Sequence, residues 1–203
     1  MDKFIYLAKE AVKTYVKNRQ IIKPPSPLPE EFNRRAGVFV SIHKIIPFTQ
    51  FTSSIIKERF RGTLNPPDFS DGYQPTAGKK ELRGCIGTYL PVRKSIAEEI
   101  IHNAVNSASR DPRFPPITIG ELPQLKYSID ILSIPENVIK NDDLDVKKYG
   151  LIVSTPDGRR GLLLPDLEGV ESIQQQINIC KTKAGIFANE KTNLQRFTVE
   201  RHE

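Results

Sequence analysis

The sequence predicts an α+β fold in which most of the sheet is antiparallel. Strand-like segments occur as a hairpin and as pairs linked by a helix, without the regular βαβα alternation that builds a parallel sheet. Three longer segments carry apolar residues at helical spacing instead. With 203 residues, the chain is long enough for one sizeable domain, or for one domain split into two lobes.

The N-terminal part alternates regular elements with proline-rich segments. Apolar residues at helical spacing predict an amphipathic helix over 3–18. Four prolines within 24–29 exclude a helix or an inner strand and indicate an extended strap. Period-two alternation predicts a strand over 37–45, and a short helix is expected over 51–60. Residues 62–80, rich in Gly, Pro and polar side chains, are expected to form a loop long enough to be a lid, a binding loop or a disordered excursion.

The C-terminal part begins with the clearest helix, predicted over 91–110 from a continuous apolar stripe. A strand is predicted over 127–134. The turn dipeptide Asp157–Gly158 predicts a hairpin across 151–165, in which the run Leu162–Leu164 indicates a strand buried on both faces.

The end of the chain predicts one more helix and one more strand. The helix is expected over about 170–184, with Ser172 and Gln175 as a capping box and Gly185 as its C-terminal cap. Cys180 lies on the apolar stripe of this helix and is expected to be a small buried side chain. The residues from 197 onward are expected to form an edge strand.

Composition limits the classes of function. The net charge of +6 comes from 30 basic and 24 acidic residues, but the basic residues are scattered in short pairs without interleaved aromatics. An ordinary solvated basic surface is therefore favoured over a nucleic-acid interface. The chain has no apolar run of about 18 residues and no signal-peptide pattern, so we expect a cytoplasmic protein without a membrane contact.

Cysteine and histidine usage predicts no bound metal and no cofactor. Two cysteines occur, without CxxC spacing, and His43, His102 and His202 are isolated from them and from each other. This pattern indicates neither a disulfide framework nor a zinc site. There is also no GxGxxG or P-loop pattern, which excludes nucleotide binding by those routes.

The stretch ELRGCIGTYL carries the candidate chemistry. Strand alternation predicts that Arg83, Cys85 and Gly87 share one face, and the flanking glycines leave the sulfur of Cys85 uncrowded. A positive neighbour such as Arg83 favours the reactive thiolate. His43, on another strand, is a candidate base if it lies within hydrogen-bonding distance of the thiol.

Structural interpretations of the same residues stay open. Free cysteine is among the most buried residue types, and Gly84 is equally suited to close packing of a helix on the sheet. Asp111 and Arg113, in the segment DPRF, either form a paired corner or present the arginine to an anionic group in a cleft.

The hexapeptide LRGCIG (Leu82–Gly87) resembles the signature of the AMMECR1 domain family. Further matching blocks follow in order along the chain, so the resemblance covers nearly all 203 residues and indicates a single AMMECR1-like domain over 1–203. These blocks are GVFVSIHK, SRDPRFPP, YSIDILSIPE, YGLIVSTPDGRRGLLLP and KTKAGI.

The resemblance implies an α+β fold of two unequal lobes, each with a mainly antiparallel sheet flanked by helices. The larger lobe would hold both ends of the chain, and the signature would face the cleft between the lobes, with the loop 62–80 as a cover. It also implies partners, because prokaryotic members often accompany a Memo-like protein and a radical-SAM protein. It implies no particular reaction.

Three functions follow as alternatives, and whether the chain is an enzyme stays open at this stage. The first, which we favour, is binding of a ligand, peptide or protein partner in the cleft. The second is an enzyme in which Cys85 is a nucleophile or redox thiol, His43 a base and Arg83 a stabilising charge. The third is an RNA-associated accessory factor. The candidate binding residues are Arg83, Gly84, Gly87, Asp111, Arg113, Arg159 and Arg160.

Overall fold

The computed structural model describes residues 1–46, 79–140 and 143–203. In these ranges the chain forms helices and two four-stranded sheets in which every strand pair is antiparallel. The predicted α+β class is confirmed. The elements in chain order are α1 Lys3–Asn18, α2 Glu30–Asn33, β1 Gly37–Ile46, β2 Lys79–Thr88, α3 Ile96–Ser109, a 3-10 helix Ile119–Gln124, β3 Leu125–Leu132, β4 Glu136–Asn137, β5 Gly150–Ser154, β6 Arg160–Leu163, α4 Ile173–Lys183, β7 Asn193–Phe197 and β8 Val199–His202.

The first lobe consists of the sheet β2-β1-β3-β8 with α1 and α3 packed on it. The apolar stripe of α1 begins directly after Asp2, whose carboxylate accepts from the backbone N–H groups of Phe4 and Ile5 and so caps the helix. Both helices bury their stripes against one face of the sheet, and this makes the largest core of the described chain.

The second lobe consists of the sheet β4-β7-β5-β6 with α4 packed on β5 and β6. Ser172 caps α4 as predicted, because its hydroxyl accepts from the backbone N–H of Gln175. The helix approaches β6 at Gly161, where a Cβ atom would lie 1.9 Å from the carbonyl oxygen of Cys180. Cys180 itself is fully buried in the core of this lobe, and burial raises its pKa to about 12.

The second lobe is inserted between β3 and β8 of the first. The chain leaves the first sheet at Ser133 and returns at Thr198, and these two residues are hydrogen-bonded to each other at 2.9 and 3.0 Å. A third apolar cluster, built around Leu132, Ile152 and Phe197, joins the two sheets.

Several boundaries differ from the sequence predictions. The long central helix begins at Ile96, because Ser95 caps it there. The strands β4 and β7 were not predicted; β7 is short and carries polar residues on both faces. Leu162 is only half-buried, so the prediction of a strand buried on both faces is wrong. The predicted helix over 51–60 and residues 62–78 of the predicted loop lie outside the described residues, and Lys79 and Lys80 belong to β2.

Candidate functional site

A pocket of about 370 Å³ lies where the two sheets meet. One wall is the face of the first sheet opposite α1 and α3; the other comes from β6, the segment after it, and the end of α4. Its lining residues are Phe39, Ser41, His43, Lys80, Leu82, Cys85, Arg113, Ser128, Asp130, Leu162, Leu163, Leu164, Leu167, Lys183, Arg201 and Glu203.

The sheet wall is polar because of the strand register. Ser41 on β1 lies directly opposite Cys85 on β2 and Ser128 on β3, so three small polar side chains form one row across the sheet. In the next row Asp130 pairs with Arg201, and their side chains form an ion pair with an Nε–Oδ1 distance of 2.6 Å. The facing wall is apolar, since it consists mainly of leucines.

The first sheet contains a β-bulge at Arg83. Ile42 pairs with Gly84, whereas His43 pairs with Leu82, so Arg83 is the extra residue on β2. The bulge gives Leu82 the position on the face of Cys85 that alternation predicts for Arg83. Arg83 instead forms a double hydrogen bond with Glu121, at 2.8 and 3.2 Å, and these hydrogen bonds lower the pKa of that carboxylate to about 2. The prediction that Arg83 and Cys85 share a face is therefore wrong.

Cys85 lies half-buried in the pocket wall. Burial raises the pKa of its thiol, and this effect outweighs the opposing effects of a hydrogen bond from the Ser41 hydroxyl (Oγ–Sγ 3.1 Å) and of the nearby Arg113 charge. The surroundings of Cys85 therefore favour the neutral thiol at neutral pH.

The backbone of Cys85 is held by a pair of charged side chains. Its N–H donates to Asp111 Oδ2 at 2.8 Å, and its carbonyl accepts from Arg113 Nη2 at 3.2 Å. Arg113 also donates from Nε and Nη2 to Asp111, and these contacts lower the pKa of the buried carboxylate to about 2. Asp111 and Arg113 are thus a paired corner, and the same arginine lines the pocket.

Gly84 and Gly87 are required by close contacts on opposite faces of β2. A Cβ atom on Gly84 would lie 2.1 Å from the carbonyl oxygen of Ser107 in α3, and one on Gly87 would lie 2.2 Å from the ring of Phe39. Real Cβ atoms do not approach other atoms so closely. Of the two glycines, Gly84 allows the helix to pack on the sheet and Gly87 makes room for a pocket side chain.

His43 lines the pocket without a hydrogen bond to the Cys85 thiol. Its Nδ1 is buried and has no hydrogen-bond partner within the described residues, and the Cys85 thiol is bonded to Ser41 instead. Burial lowers the pKa of His43, and the positive charge of Lys80 lowers it further. The structure brings His43 and Cys85 to one pocket but not into an acid–base pair.

Arg159 and Arg160 lie outside the pocket. Arg159 donates to Asp157, Glu190 and the carbonyl of Gly185, which fixes a corner of the second lobe. Arg160 hydrogen-bonds the hydroxyl of Tyr89, with its guanidinium carbon 4.8 Å from the centre of that ring. Both arginines thus have structural contacts.

Sequence reasoning missed several charged pocket residues: Lys80, Asp130, Lys183, Arg201 and Glu203. Alternation along β3 could have placed Asp130 opposite the apolar core face. The rest depend on the pairing of distant strands and on the placement of α4, which no local pattern encodes.

Sequence reasoning also missed a buried polar stripe on α3. Glu99, Asn103 and Ser107 are spaced four residues apart within the apolar stripe, and all three are buried. Ser107 accepts from the N–H of Ile86 and donates to the carbonyl of Val40, both at 2.8 Å, so it bridges β1 and β2. The i, i+4, i+8 spacing of these polar residues was visible in the sequence.

The described ranges contain neither a cluster of metal-ligating side chains nor a membrane-spanning helix. No group of three or more His, Cys, Asp or Glu side chains in them has an arrangement that could hold a metal ion. No helix there is long and apolar enough to cross a membrane.

Comparison with known proteins defines the class. A model of the AMMECR1 family matches residues 73–202. A protein of Thermotoga maritima is 41% identical over 201 residues, which cover 98% of this chain and 96% of that protein. The chain belongs to the AMMECR1 family, as the sequence resemblance predicted.

Two other relatives give the extent of the similarity. The crystal structure of uncharacterized protein PH0010 from Pyrococcus horikoshii matches 98% of this chain and 88% of its own, with a TM-score of 0.76 and 27% identity. A protein of Clostridium acetobutylicum is 36% identical over 99% of this chain, but the match spans 36% of that longer protein. The fold described here is thus similar to that of a solved structure.

Proposed function

We propose that this protein is a binding module whose ligand site is the pocket in the cleft between the two lobes. The observation that carries the proposal is the composition of the 370 Å³ pocket, with a polar wall from one lobe and an apolar wall from the other. Ligand sites typically occupy concave regions of about 300–1,000 Å³ that combine apolar surface with a few placed polar groups. Residues 82 and 85 of the LRGCIG hexapeptide contribute directly to this lining.

The contacts of Cys85 favour binding over thiol catalysis. A cysteine nucleophile needs thiolate character and a base within hydrogen-bonding distance. The pKa of Cys85 is raised by burial, Arg83 is paired with Glu121, and the hydrogen bond to the thiol comes from Ser41. The enzyme alternative would need a hydrogen bond between His43 and the Cys85 thiol, and these two side chains are not hydrogen-bonded to each other.

The other sequence hypotheses gain no specific support from the site. RNA binding would use exposed basic side chains along one surface, whereas Arg83 and Arg159 form ion pairs with carboxylates. The Memo-like and radical-SAM partners that the family resemblance implies stay a prediction.

Protection of Cys85 from alkylation tests the proposed site. Iodoacetamide is small and neutral, and the extent of labelling at Cys85 and Cys180 is read peptide by peptide with mass spectrometry. Fully buried Cys180 belongs to another core and serves as the internal control. We expect Cys85 to react more slowly than a free thiol at pH 7, and compounds from a fragment library to slow it further in a saturable way.

A pair of leucine variants shows whether protection occurs in the pocket. Leu82 lines the pocket and is 39% exposed, so Leu82→Trp should fill the pocket without unfolding the chain. The further slowing of Cys85 labelling by added compounds should then disappear. Leu90→Trp is the matched control, because Leu90 is 43% exposed and lies outside the pocket. Fast labelling with an apparent pKa below 8, or a library that never slows Cys85, would contradict the binding proposal.

A further inference from the structure

The chemistry of the two pocket walls defines the class of ligand, provided that the proposed function is correct. Four basic side chains and two carboxylates line the pocket, and the carboxylate of Asp111 lies against Arg113, which leaves a local net charge of one positive unit with His43 neutral. A ligand with a negative group is therefore favoured over a neutral or cationic one.

Three of the four cations already have carboxylate partners. These pairs are Arg113 with Asp111, Arg201 with Asp130, and Lys80 with Glu203. Paired in this way, each contributes less to the attraction of a further anion than an uncompensated charge would.

Lys183 differs from the other three. Its Nζ donates to the carbonyl oxygen of Leu162 at 2.8 Å, a neutral partner, and among the described residues it has no ion pair with a carboxylate. An ammonium group has three donors, so two remain for a ligand. Because the bond to Leu162 holds Nζ at the apolar wall, the charge lies directly beside the leucines.

The leucines beside Lys183 offer apolar surface. Leu162, Leu164 and Leu167 are half-buried and line the pocket, so a ligand covering them would remove exposed apolar area from water. The volume of 370 Å³ corresponds to roughly a dozen water-sized units of about 30 Å³ each, which suits a small molecule.

An added peptide strand is disfavoured on this side of the pocket. β2 is the edge of the first sheet, and a bound strand would need its outward N–H and C=O groups. At Cys85 both groups are occupied, by Asp111 and Arg113.

We propose that the pocket binds an amphipathic anion, in which a compact carboxylate or phosphate head contacts Lys183 and an apolar body covers the leucine wall. The head replaces water on the two remaining donors of the ammonium group. The body packs between the leucines and the row of small polar side chains on the sheet.

A matched series of eight-carbon compounds tests this inference. Octanoate, octyl phosphate, octanol and octylamine, each below its critical micelle concentration, are compared by their protection of Cys85 and by calorimetry. We expect octanoate or octyl phosphate to bind at least about tenfold more tightly than octanol and octylamine. The stronger of the two anions identifies the head group, and butanoate should bind more weakly than octanoate because it covers less of the leucine wall.

Two lysine variants locate the anionic head. Lys183→Gln should weaken binding of the preferred anion about tenfold and leave octanol unchanged. Lys181→Gln is the matched control, since Lys181 is on the same helix, donates to the carbonyl of Ala188 and lies outside the pocket. The affinities of the Lys181→Gln variant for the preferred anion and for octanol should match those of the parent protein.

The outcomes separate this inference from the proposed function. The proposal of an amphipathic anion is wrong if octylamine or octanol binds as tightly as the anions. It is also wrong if Lys181→Gln and Lys183→Gln have the same affinity for the preferred anion. If the whole series fails while other fragments still protect Cys85, the pocket is a binding site for a different class. If nothing protects Cys85, both proposals fail.

Discussion

Most residues of the hexapeptide at 82–87 have structural contacts. Arg83 pairs with Glu121, Gly84 lies beneath α3 and Gly87 beneath Phe39, whereas Leu82 and Cys85 face the pocket. The two glycines are needed because other parts of the chain approach β2 closely on both of its faces. The hexapeptide contributes to the site through Leu82 and Cys85, which form part of the pocket wall.

Gly84→Ala should destabilise the protein strongly. The added Cβ would meet the backbone oxygen of Ser107 at 2.1 Å, and neither backbone can move freely because α3 is packed on the sheet. Overpacking of this kind costs about 1–3 kcal/mol or more. The free energy of unfolding in urea measures the cost, and Gly120→Ala is the control, because in the described part of the chain no atom beyond its own helix neighbours lies within 4 Å of its Cβ position. Equal costs for the two variants would refute this account of Gly84.

Asp111 should make stability depend on acid pH. Its pKa is lowered from 3.8 to about 2 in the folded protein by Arg113, with further help from the N–H of Cys85. The folded state therefore favours the deprotonated form, so this contribution is present above about pH 4 and is lost as the pH falls towards 2. Asp111→Asn should cost about 2 kcal/mol at pH 7 and much less near pH 2. Unfolding free energies across this range provide the test; a constant difference between the parent and variant curves would count against it.

Sequence reasoning at the residue scale succeeded where a contact is local and failed where it depends on register. Asp111 and Arg113 are two residues apart, and their pairing was one of the two interpretations considered. The position of Arg83 was predicted wrongly, because a single extra residue in β2 reverses the facing of every residue before it. Nothing in the local pattern marks that bulge.

At the scale of elements, α3 connects the core to the pocket wall. Its apolar stripe covers one face of the first sheet, and its buried polar stripe bonds the two strands that carry Cys85 and Ser41. The helix therefore fixes the spacing of β1 and β2.

Ser107→Ala tests the bridging role of α3. The substitution leaves the N–H of Ile86 and the buried carbonyl of Val40 without this shared partner, which should cost about 1–3 kcal/mol. Hydrogen exchange should also become faster at the amide of Ile86. Ser109→Ala is the control on the same helix, because the Ser109 hydroxyl donates to the Val105 carbonyl one turn earlier within α3 itself. An unchanged exchange rate at Ile86 would argue against the bridge.

The sequence predicted elements well where one face is clearly apolar. The helices at 3–18 and 170–184 and the hairpin at 151–165 have such patterns, and each is present with similar bounds. β7 lies between β4 and β5 in the sheet, and of its residues, NLQRF, Phe197 is buried, Asn193 is exposed and the other three are half-buried, so no clean alternation marks it. Tertiary pairing of this kind determines a strand without leaving a strong local pattern.

At the scale of the whole molecule, the α+β class was predictable from element order, and the placement of the lobes was not. The cluster around Leu132, Ile152 and Phe197 brings together residues from three strands that are far apart in the chain. The pocket is a consequence of that placement. Its lining therefore includes residues such as Lys183 and Arg201 that no motif marks.

Leu132→Ala should weaken both lobes together. Leu132 is 4% exposed and belongs to the cluster shared by the two sheets, so its truncation should cost about 2–5 kcal/mol. Hydrogen exchange resolved by peptide should become faster in β3 and also in β5 of the other lobe. Leu90→Ala, at an exposed position, should change neither. Faster exchange confined to β3 would show that the two sheets are not coupled through this cluster.

The two crossings of the chain at Ser133 and Thr198 limit how the pocket can open. Phe197 ends a strand of one lobe and Val199 begins a strand of the other, with a single residue between them. Two residues of chain span at most about 7 Å, so the lobes cannot draw apart at this point. The hydrogen bonds between the crossings make them one pivot. A change in the width of the pocket therefore takes the form of a rotation of the second lobe about this pivot.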